Sequence, residues 1–240
     1  MKENKIVLFG GNGFVGTAIA EELVASNAQV VCVSRTGVMP AQLKNQAWAE
    51  QVEWHQGDAL YPDPAVFDDA QAVVALVGSP PIPTFSKRAF ENQLMMNSEP
   101  NLAVIKALTD SNTRRLVLLS AHIPKVMQTD KFAYAKGKRL CEEAAEQFAN
   151  RSADHTAIVL KPSGIYGVRY TKAGKPINLA VIMRPIAALQ GGLPDSISQF
   201  LPESLVSIKA VAKVAARSCL DDQKGVYKII NNNDIILSVK

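Results

Sequence analysis

One tyrosine–lysine pair in the chain has the residue types and the spacing of an acid–base catalyst. Tyr134 and Lys138 lie four residues apart in the stretch FAYAKGKRL, and no other tyrosine has a lysine at that position. Residues four apart face the same side of a helix. A phenol has a pKa of about 10, and a nearby ammonium favours the phenolate and lowers that pKa. Tyr134 is therefore predicted to give a proton to a carbonyl oxygen, or to accept one in the reverse reaction.

Two polar residues precede this pair on neighbouring predicted elements. Ser120 ends the apolar stretch RLVLLS, and Asn97 lies early in the helical pattern before it. Ser120 is placed to hold a substrate oxygen beside the tyrosine, and Asn97 to order a water chain to Lys138. Each residue alone is also typical of a cap, a turn or a solvated helix face. Their order along the chain favours a catalytic set of four residues.

A cluster of glycines follows the first apolar run, in the stretch IVLFGGNGFVG. Gly10, Gly11, Gly13 and Gly16 fit both GxxGxxG and GxGxxG. Such glycines allow a tight turn, a close backbone approach to a pyrophosphate and close packing of the next helix on the strand. The positive end of that helix then faces the anion. The context of strand, loop and helix predicts a dinucleotide site, with a purely structural turn as the alternative.

The end of the second predicted strand indicates which dinucleotide is bound. NAD sites usually carry an acid there, whereas this chain has Ser34 and Arg35. A guanidinium pairs with the 2′-phosphate of NADP(H), so NADP(H) is favoured over NAD(H). Asp58 follows the third predicted strand and is placed to contact the adenine amino group. It is also typical of an ordinary turn aspartate.

The elements that would position these residues alternate along the first two thirds of the chain. Apolar runs alternate with helical patterns, which indicates a parallel sheet covered on both faces. Right-handed crossovers then predict an α/β fold with a doubly wound (Rossmann) parallel sheet. The predicted strands span 5–9, 29–34, 52–55, 72–77, 115–120 and 156–160, and the predicted helices span 14–26, 92–109 and 132–150.

The pattern changes after residue 161 and predicts a small C-terminal substrate lobe. Glycine and proline interrupt the segment at intervals. Helices are predicted over 178–190 and 206–220, and a last strand over 226–230. The apolar stretch 177–193 suits a hydrophobic substrate, although it is also typical of an ordinary core helix. We expect one domain, 1–240, in which 161–240 contributes this lobe.

Composition excludes several other classes of protein. The 240 residues are 48% apolar and 20% charged, with a net charge of +4. No basic run is interleaved with aromatic residues, so no nucleic-acid partner is expected. Three widely spaced cysteines predict neither a disulfide framework nor a metal site. No segment has the length or the charge pattern of a transmembrane helix or a signal peptide. We therefore expect a cytoplasmic protein, with peripheral membrane association and a homodimer left open.

These motifs together resemble the short-chain dehydrogenase/reductase superfamily, in its extended or atypical branch. The pieces that match are GGNGFVG, Ser34–Arg35, the GD at Asp58, the LVGS after the fourth strand, YAKGK and KPSGIYG. In that family the glycine loop holds the pyrophosphate, and serine, tyrosine and lysine transfer the proton beside a nicotinamide. The resemblance implies that the cofactor is bound by Gly10, Gly13, Phe14, Val15, Gly16, Ser34, Arg35, Asp58, Val77, Gly78, Lys138, Pro162 and Ile165.

Within this branch, the first 60 residues are most similar to an atypical subgroup. It includes the accessory NADPH-binding subunit of respiratory complex I and a fungal mitochondrial protein of coenzyme Q biosynthesis. The resemblance implies an NADP(H)-dependent oxidoreductase that acts on a carbonyl/alcohol pair of a small apolar molecule related to quinones or isoprenoids. Some members of this subgroup bind NADPH without known turnover.

Two other functions remain open at this point. A non-catalytic NADPH-binding assembly or redox-sensing protein is disfavoured by the intact Tyr134–Lys138 pair. A nucleotide-sugar epimerase is disfavoured by the short chain and its reduced, apolar lobe. Sugar-nucleotide dehydratases usually carry acidic residues just after the catalytic serine or threonine. Ala121 and His122 stand there in this chain, which disfavours dehydration.

Overall fold

The computed structural model describes residues 4–170, 175–179, 181 and 204–238. The described strands are β1 (Lys5–Phe9), β2 (Gln29–Ser34), β3 (Val52–Gln56), β4 (Ala70–Ala75), β5 (Arg115–Leu119), β6 (Thr156–Lys161), β7 (Gly164–Tyr166), β8 (Val168–Tyr170), β9 (Pro176–Asn178), β10 (Leu205–Ser207) and β11 (Tyr227–Asn231). The described α-helices are α1 (Phe14–Ala25), α2 (Lys87–Thr109), α3 (Ala133–Ala149), α4 (Ile208–Leu220) and α5 (Asn232–Leu237).

Seven of these strands form one sheet in which every neighbouring pair is parallel. Their order is β11-β6-β5-β4-β1-β2-β3. The chain runs outward from β1 to β3 and then returns to β4 on the other side of β1. Strand order therefore reverses between β1 and β4, as in a doubly wound sheet. The predicted fold class is confirmed.

Helices cover the two faces of this sheet because consecutive strand residues point to opposite sides. Ile6 and Leu8 belong to a core shared with α1 and α4. Val7 and Phe9 belong to a second core shared with α2 and α3. All four side chains are almost fully buried. Burial on both faces explains why the strands are apolar runs rather than alternating patterns.

The boundaries of helix α2 and strand β4 differ by two or more residues from those predicted from the sequence. Helix α2 begins at Lys87 rather than at residue 92, because the Ser86 side chain accepts a hydrogen bond from the N–H of Ala89 and caps it. Strand β4 spans Ala70–Ala75 rather than 72–77. At Val77 the side-chain amide of Asn101 binds both the N–H and the C=O, in place of a neighbouring strand.

The part of the chain after residue 161 contributes to the main sheet as well as to smaller units. Strand β11 extends the sheet beside β6, and α4 packs on α1. Strands β7 and β10 form a parallel pair, and β8 and β9 form an antiparallel pair. Most of the predicted helix 178–190 and of the apolar stretch 177–193 lies outside the described residues. The division into a domain and a substrate lobe stays a prediction.

Candidate active site

A cleft of about 910 Å³ opens at the carboxyl edge of the sheet, where strand order reverses. Loops that follow β1, β2, β3, β4, β5 and β6 all contribute to its walls. Fourteen of the predicted site residues line it, namely Gly10, Gly13, Phe14, Val15, Ser34, Arg35, Asp58, Val77, Gly78, Ser120, Tyr134, Lys138, Pro162 and Ile165. Gly16 and Asn97 are not part of the lining and support it from behind.

The glycine loop has the shape that an anion cradle requires. Gly10 has a φ of +94°, a conformation that residues with a side chain rarely adopt. A Cβ on Gly16 would lie 2.4 Å from the Gly10 carbonyl oxygen, so only glycine allows α1 to start this close to the loop. Gly13 is the N-cap of α1 and supplies no side-chain cap. The first N–H groups of the helix are therefore available to a phosphate.

The end of β2 carries no carboxylate toward the cleft. Ser34 is buried and its hydroxyl accepts a hydrogen bond from the N–H of Gly37 at 3.2 Å. Arg35 follows it and is exposed at the cleft wall. Asp58 also lines the cleft, and its Oδ1 accepts a hydrogen bond from the N–H of Leu60 at 3.0 Å. Asp58 thus closes a turn while it faces the cleft.

A row of amide side chains on α2 holds the loop after β4. Gln93, Asn97 and Asn101 are spaced four residues apart and are buried. Gln93 donates a hydrogen bond to the carbonyl of Pro80, and Asn97 both accepts from the N–H of Ser79 and donates to its hydroxyl. Gln93 and Asn101 were not predicted from the sequence, although polar residues at positions i, i+4 and i+8 of a buried helix face are a recognisable signal.

The side chain of Asn97 is fully engaged in this support. Its amide nitrogen also donates to the carbonyl of Gln93 at 2.9 Å, and the residue is inaccessible to solvent. A Cβ on Gly78 would lie 2.9 Å from the Asn97 Oδ1 and 3.6 Å from the Lys138 Nζ. Asn97 therefore lies near the lysine but behind the loop. Its predicted role in a water chain stays a prediction.

Tyr134 and Lys138 lie on one face of α3 at the cleft, as their spacing predicts. The Lys138 Nζ is 5.8 Å from the centre of the Tyr134 ring and donates a hydrogen bond to the carbonyl of Leu119 at 3.0 Å. Burial raises the pKa of Tyr134 to about 12 and lowers the pKa of Lys138. In the protein alone desolvation opposes both charged forms. The expected lowering of the tyrosine pKa by the ammonium together with an oxidised nicotinamide stays a prediction for the cofactor complex.

Ser120 lies at the end of β5 and is bound to a glutamate that the sequence analysis missed. Its hydroxyl donates a hydrogen bond to the Oε1 of Glu142, and the Oε2 of Glu142 accepts one from the Nζ of Lys161 at 2.9 Å. Glu142 stands on α3 four residues after Lys138 and eight after Tyr134. That spacing was visible in the sequence, but nothing local indicated that Ser120 lies within reach of it.

Apolar side chains from α2 and from two loops complete the cleft. They include Pro80, Pro81, Met95, Met96, Ile123 and Met127. Met95 and Met96 are 43% and 49% exposed, although they carry no polar group that needs water. Flexible thioether side chains of this kind adapt to apolar ligands of different shape. The cleft therefore combines a polar set of residues with an apolar wall.

A membrane-spanning helix and a metal-binding cluster are both absent from the described residues. None of the helices within them is long and apolar enough to cross a membrane. Over the same residues, no group of three or more histidine, cysteine, aspartate or glutamate side chains is arranged to hold a metal ion.

One family model and several known proteins are similar to the chain. The model described as NAD dependent epimerase/dehydratase family matches residues 6–199. An uncharacterized chloroplastic protein of Arabidopsis thaliana is 30% identical over 205 residues, which cover 84% of this chain and 62% of that protein. The protein named fmp52, mitochondrial, of Emericella nidulans is 27% identical over 179 residues, or 68% of each chain. The chain thus spans less than two thirds of the Arabidopsis relative.

The fold is also found among solved structures. A UDP-glucuronic acid 4-epimerase from Bacillus cereus, in complex with UDP-glucuronic acid and NAD, superimposes with a TM-score of 0.71. The match covers 95% of this chain and 76% of the epimerase, at 14% sequence identity. At that identity the likeness shows a common architecture and leaves the substrate open.

Proposed function

The chain belongs to the NAD dependent epimerase/dehydratase family, a group of extended short-chain dehydrogenases/reductases, and we propose that it is an NADP(H)-dependent oxidoreductase. The proposed reaction interconverts a carbonyl and an alcohol of a small apolar molecule. The observation that carries the proposal is the position of Tyr134 and Lys138, which line the same cleft as the glycine loop. The phenol proposed as proton donor and the loop proposed to hold the dinucleotide therefore line one cleft.

The residues of the cleft fit a nicotinamide dinucleotide. Gly10, Gly13 and the N-terminus of α1 would hold the pyrophosphate, because no side chain fills that space and the first N–H groups have no side-chain cap. Arg35 would pair with a 2′-phosphate, which favours NADP(H) over NAD(H). The bound cofactor supplies the hydride. The protein supplies the orientation and the proton.

The role proposed for each catalytic residue follows from its contacts. Tyr134 would donate a proton to a carbonyl oxygen. Burial raises its pKa to about 12 in the protein alone, and a bound oxidised nicotinamide would favour the phenolate in the reverse reaction. The Nζ of Lys138 donates to the Leu119 carbonyl, which fixes the lysine side chain beside the Tyr134 ring. Ser120 lines the cleft and would face the substrate oxygen. Asn97 holds the loop on which the cofactor would rest.

The apolar wall supports the choice of substrate class. Pro80, Met95, Met96 and Met127 offer no hydrogen bonds to the hydroxyl groups of a sugar. A quinone- or isoprenoid-related molecule needs no hydrogen bonds from such a wall, and burial of its apolar surface there is favourable. A nucleotide sugar would leave polar groups without partners there. These side chains therefore favour an apolar carbonyl compound over epimerisation.

Compartment and assembly belong to the same proposal. The names of two relatives include the words chloroplastic and mitochondrial, so neither supports the expectation of a cytoplasmic location. We retain a cytoplasmic or membrane-peripheral location as a prediction, and a homodimer as an open alternative. A small-molecule substrate is the partner that the cleft supports.

The experiment that tests the function combines binding with turnover. The purified protein is incubated with NADPH and a panel of quinones, ketones and aldehydes, and the loss of NADPH absorbance is followed. Tyr134→Phe should keep NADPH binding and lose turnover by about 10²- to 10⁴-fold, the usual contribution of a general acid. Tyr227→Phe is the matched control, because that partly buried tyrosine lies on β11 and does not line the cleft.

The result also separates the two alternatives. Tight NADPH binding without turnover of any panel member would favour a non-catalytic NADPH-binding assembly or redox-sensing protein. Interconversion of UDP-sugars, offered in a parallel assay with NAD, would favour a nucleotide-sugar epimerase. Unchanged turnover in Tyr134→Phe would remove the phenol from the mechanism.

A further inference from the structure

Glu142 connects the cleft serine to a lysine outside the cleft. One of its carboxylate oxygens accepts the hydroxyl hydrogen of Ser120, and the other forms an ion pair with Lys161 at 2.9 Å. The Glu142 side chain is only 15% exposed, and Ser120 is 4% exposed. Neither Glu142 nor Lys161 lines the cleft, whereas Ser120 does. The carboxylate therefore contacts the site through the serine, and its charge also opposes the lowering of the Lys138 pKa by burial.

The hydrogen bonds that Ser120 already makes determine what it can offer to a ligand. A serine hydroxyl has one hydrogen and two lone pairs, and an ionised carboxylate only accepts. The Lys161 ammonium keeps Glu142 in an ion pair, so the hydrogen between Ser120 and Glu142 comes from the serine. The N–H of Ser120 is also used, because it donates to the carbonyl of Leu160 at 2.9 Å. Ser120 has only its oxygen lone pairs left for the cleft.

We propose that Glu142 is a positioning residue that makes Ser120 a hydrogen-bond acceptor, so that the site binds the alcohol of its substrate pair through Ser120 and the carbonyl compound without it. This inference rests on the proposed function, because it assigns a direction to a hydrogen bond of that same site. A carbonyl compound has no hydroxyl hydrogen to donate to the Ser120 oxygen. An alcohol has one.

The bound alcohol completes a chain in which every group has a partner. Neutral Tyr134 donates to the alcohol oxygen, the alcohol hydroxyl donates to Ser120, and Ser120 donates to Glu142. Each hydrogen bond in such a chain strengthens its neighbours. In the ketone complex the Tyr134 bond remains, but the Ser120 oxygen faces the carbonyl oxygen without a hydrogen between them. The alcohol is therefore the form that this site holds more tightly.

Glu142→Gln tests the proposal because Lys161 determines the orientation of the glutamine side-chain amide. The Lys161 ammonium needs an acceptor, so the amide oxygen faces Lys161 and the NH₂ group faces Ser120. The NH₂ group donates to the Ser120 oxygen, which frees the serine hydrogen to point into the cleft. Ser120 then becomes a donor, and its preference between ketone and alcohol is expected to reverse.

The measurement uses two non-reacting complexes, with 1-phenylethanol and acetophenone as probes. Calorimetry gives the affinity of the alcohol for the NADPH-bound protein and of the ketone for the NADP⁺-bound protein, and each probe is compared only with itself across variants. One hydrogen bond of ordinary strength corresponds to about 2- to 10-fold in affinity. Glu142→Gln should lower the affinity for the alcohol and raise the affinity for the ketone by that factor. Ser120→Ala should lower the affinity for the alcohol and leave the affinity for the ketone unchanged.

Two control variants separate this role from a structural one. Glu143→Gln removes the neighbouring carboxylate, which pairs with Arg139 at 3.4 Å on the solvent side of α3. It should change neither affinity. Lys161→Arg keeps a cation beside Glu142, and with it the Ser120–Glu142 bond, so the alcohol should keep its advantage. The same change in the ketone/alcohol affinity ratio for Glu143→Gln and Glu142→Gln, or no change in either, overturns the proposal.

A measurement without substrate keeps this inference distinct from the proposed function. Isotope-edited infrared spectroscopy of the ligand-free protein follows the carboxylate stretch of Glu142. Ser120→Ala should shift that band, and an unshifted band overturns the hydrogen bond on which the inference depends. A shifted band in a protein that turns over no carbonyl compound would retain the Ser120–Glu142 pair and reject the oxidoreductase.

Discussion

At the scale of single residues, burial controls the chemistry of the cleft more than charge does. Tyr134 and Lys138 are close enough to interact, yet the pKa of the phenol rises to about 12 and the pKa of the amine falls. Both shifts favour the neutral form, as desolvation requires. In the protein alone Tyr134 is therefore protonated. This state suits the reduction of a carbonyl better than the oxidation of an alcohol.

Arg35 provides the residue-scale prediction about the cofactor. Arg35→Ala should weaken NADPH binding by about 10-fold or more, because a hydrogen bond to a charged group contributes about 1.5–3 kcal/mol. NADH lacks the 2′-phosphate, so its affinity should stay the same. Fluorescence titration with each cofactor measures the difference. Arg88→Ala removes an exposed arginine on α2 that does not line the cleft and serves as control. Equal weakening of NADPH and NADH by Arg35→Ala would contradict the assignment.

At the scale of elements, the cleft depends on how closely α1 and α2 approach the loops after their strands. The start of α1 lies against the Gly10–Gly11 backbone. The amide side chains of Gln93, Asn97 and Asn101 on α2 bind the loop after β4. Both loops meet at the point where strand order reverses. Helix packing therefore determines the shape of the proposed cofactor site before any ligand is bound.

Substitution of Gly16 tests the contact between α1 and its loop. A Cβ at Gly16 would meet the backbone of Gly10 and Gly11 at 2.4 and 2.7 Å, and backbone atoms cannot move aside cheaply. Gly16→Ala should lower the free energy of unfolding by about 1–3 kcal/mol and should also weaken NADPH binding. Urea unfolding and fluorescence titration provide the two measurements.

Gly13→Ala is the matched control for this prediction. Gly13 has a φ of −80°, and its Cβ would lie 3.2 Å from the Gly10 oxygen. The expected loss of stability is below about 1 kcal/mol, whereas NADPH binding should still fall because Gly13 lines the cleft. Equal unfolding free energies for the two variants would show that the close approach at Gly16 is unimportant.

At the scale of the whole molecule, the cleft is made by the sheet rather than by one segment. Its walls come from the loops after six parallel strands, and these strands are far apart in the chain. A ligand that contacts several loops stabilises the folded state as a unit. The family match over residues 6–199 and the superposition on a UDP-glucuronic acid 4-epimerase describe this shared frame.

The stability of the folded protein should therefore report cofactor binding. NADPH at 100 times its dissociation constant adds about 2.7 kcal/mol to the free energy of unfolding. For a chain of this size that corresponds to a rise in Tm of about 5–10 °C. NADH at the same concentration should raise Tm less. Differential scanning fluorimetry makes the comparison, and Arg35→Ala should abolish the advantage of NADPH. An unchanged Tm with both cofactors would contradict the dinucleotide site.

Sequence patterns were enough to predict the sheet class, the glycine loop and the shared helix face of Tyr134 and Lys138. Those features depend on periodicity and on residues a few positions apart, which local backbone geometry controls. Only the tertiary structure decided that Glu142 binds Ser120, that Asn97 is engaged with the loop after β4, and that the pKa of Tyr134 rises. Contacts between distant segments and exclusion of water arise only when the strands assemble, so no local pattern encodes them.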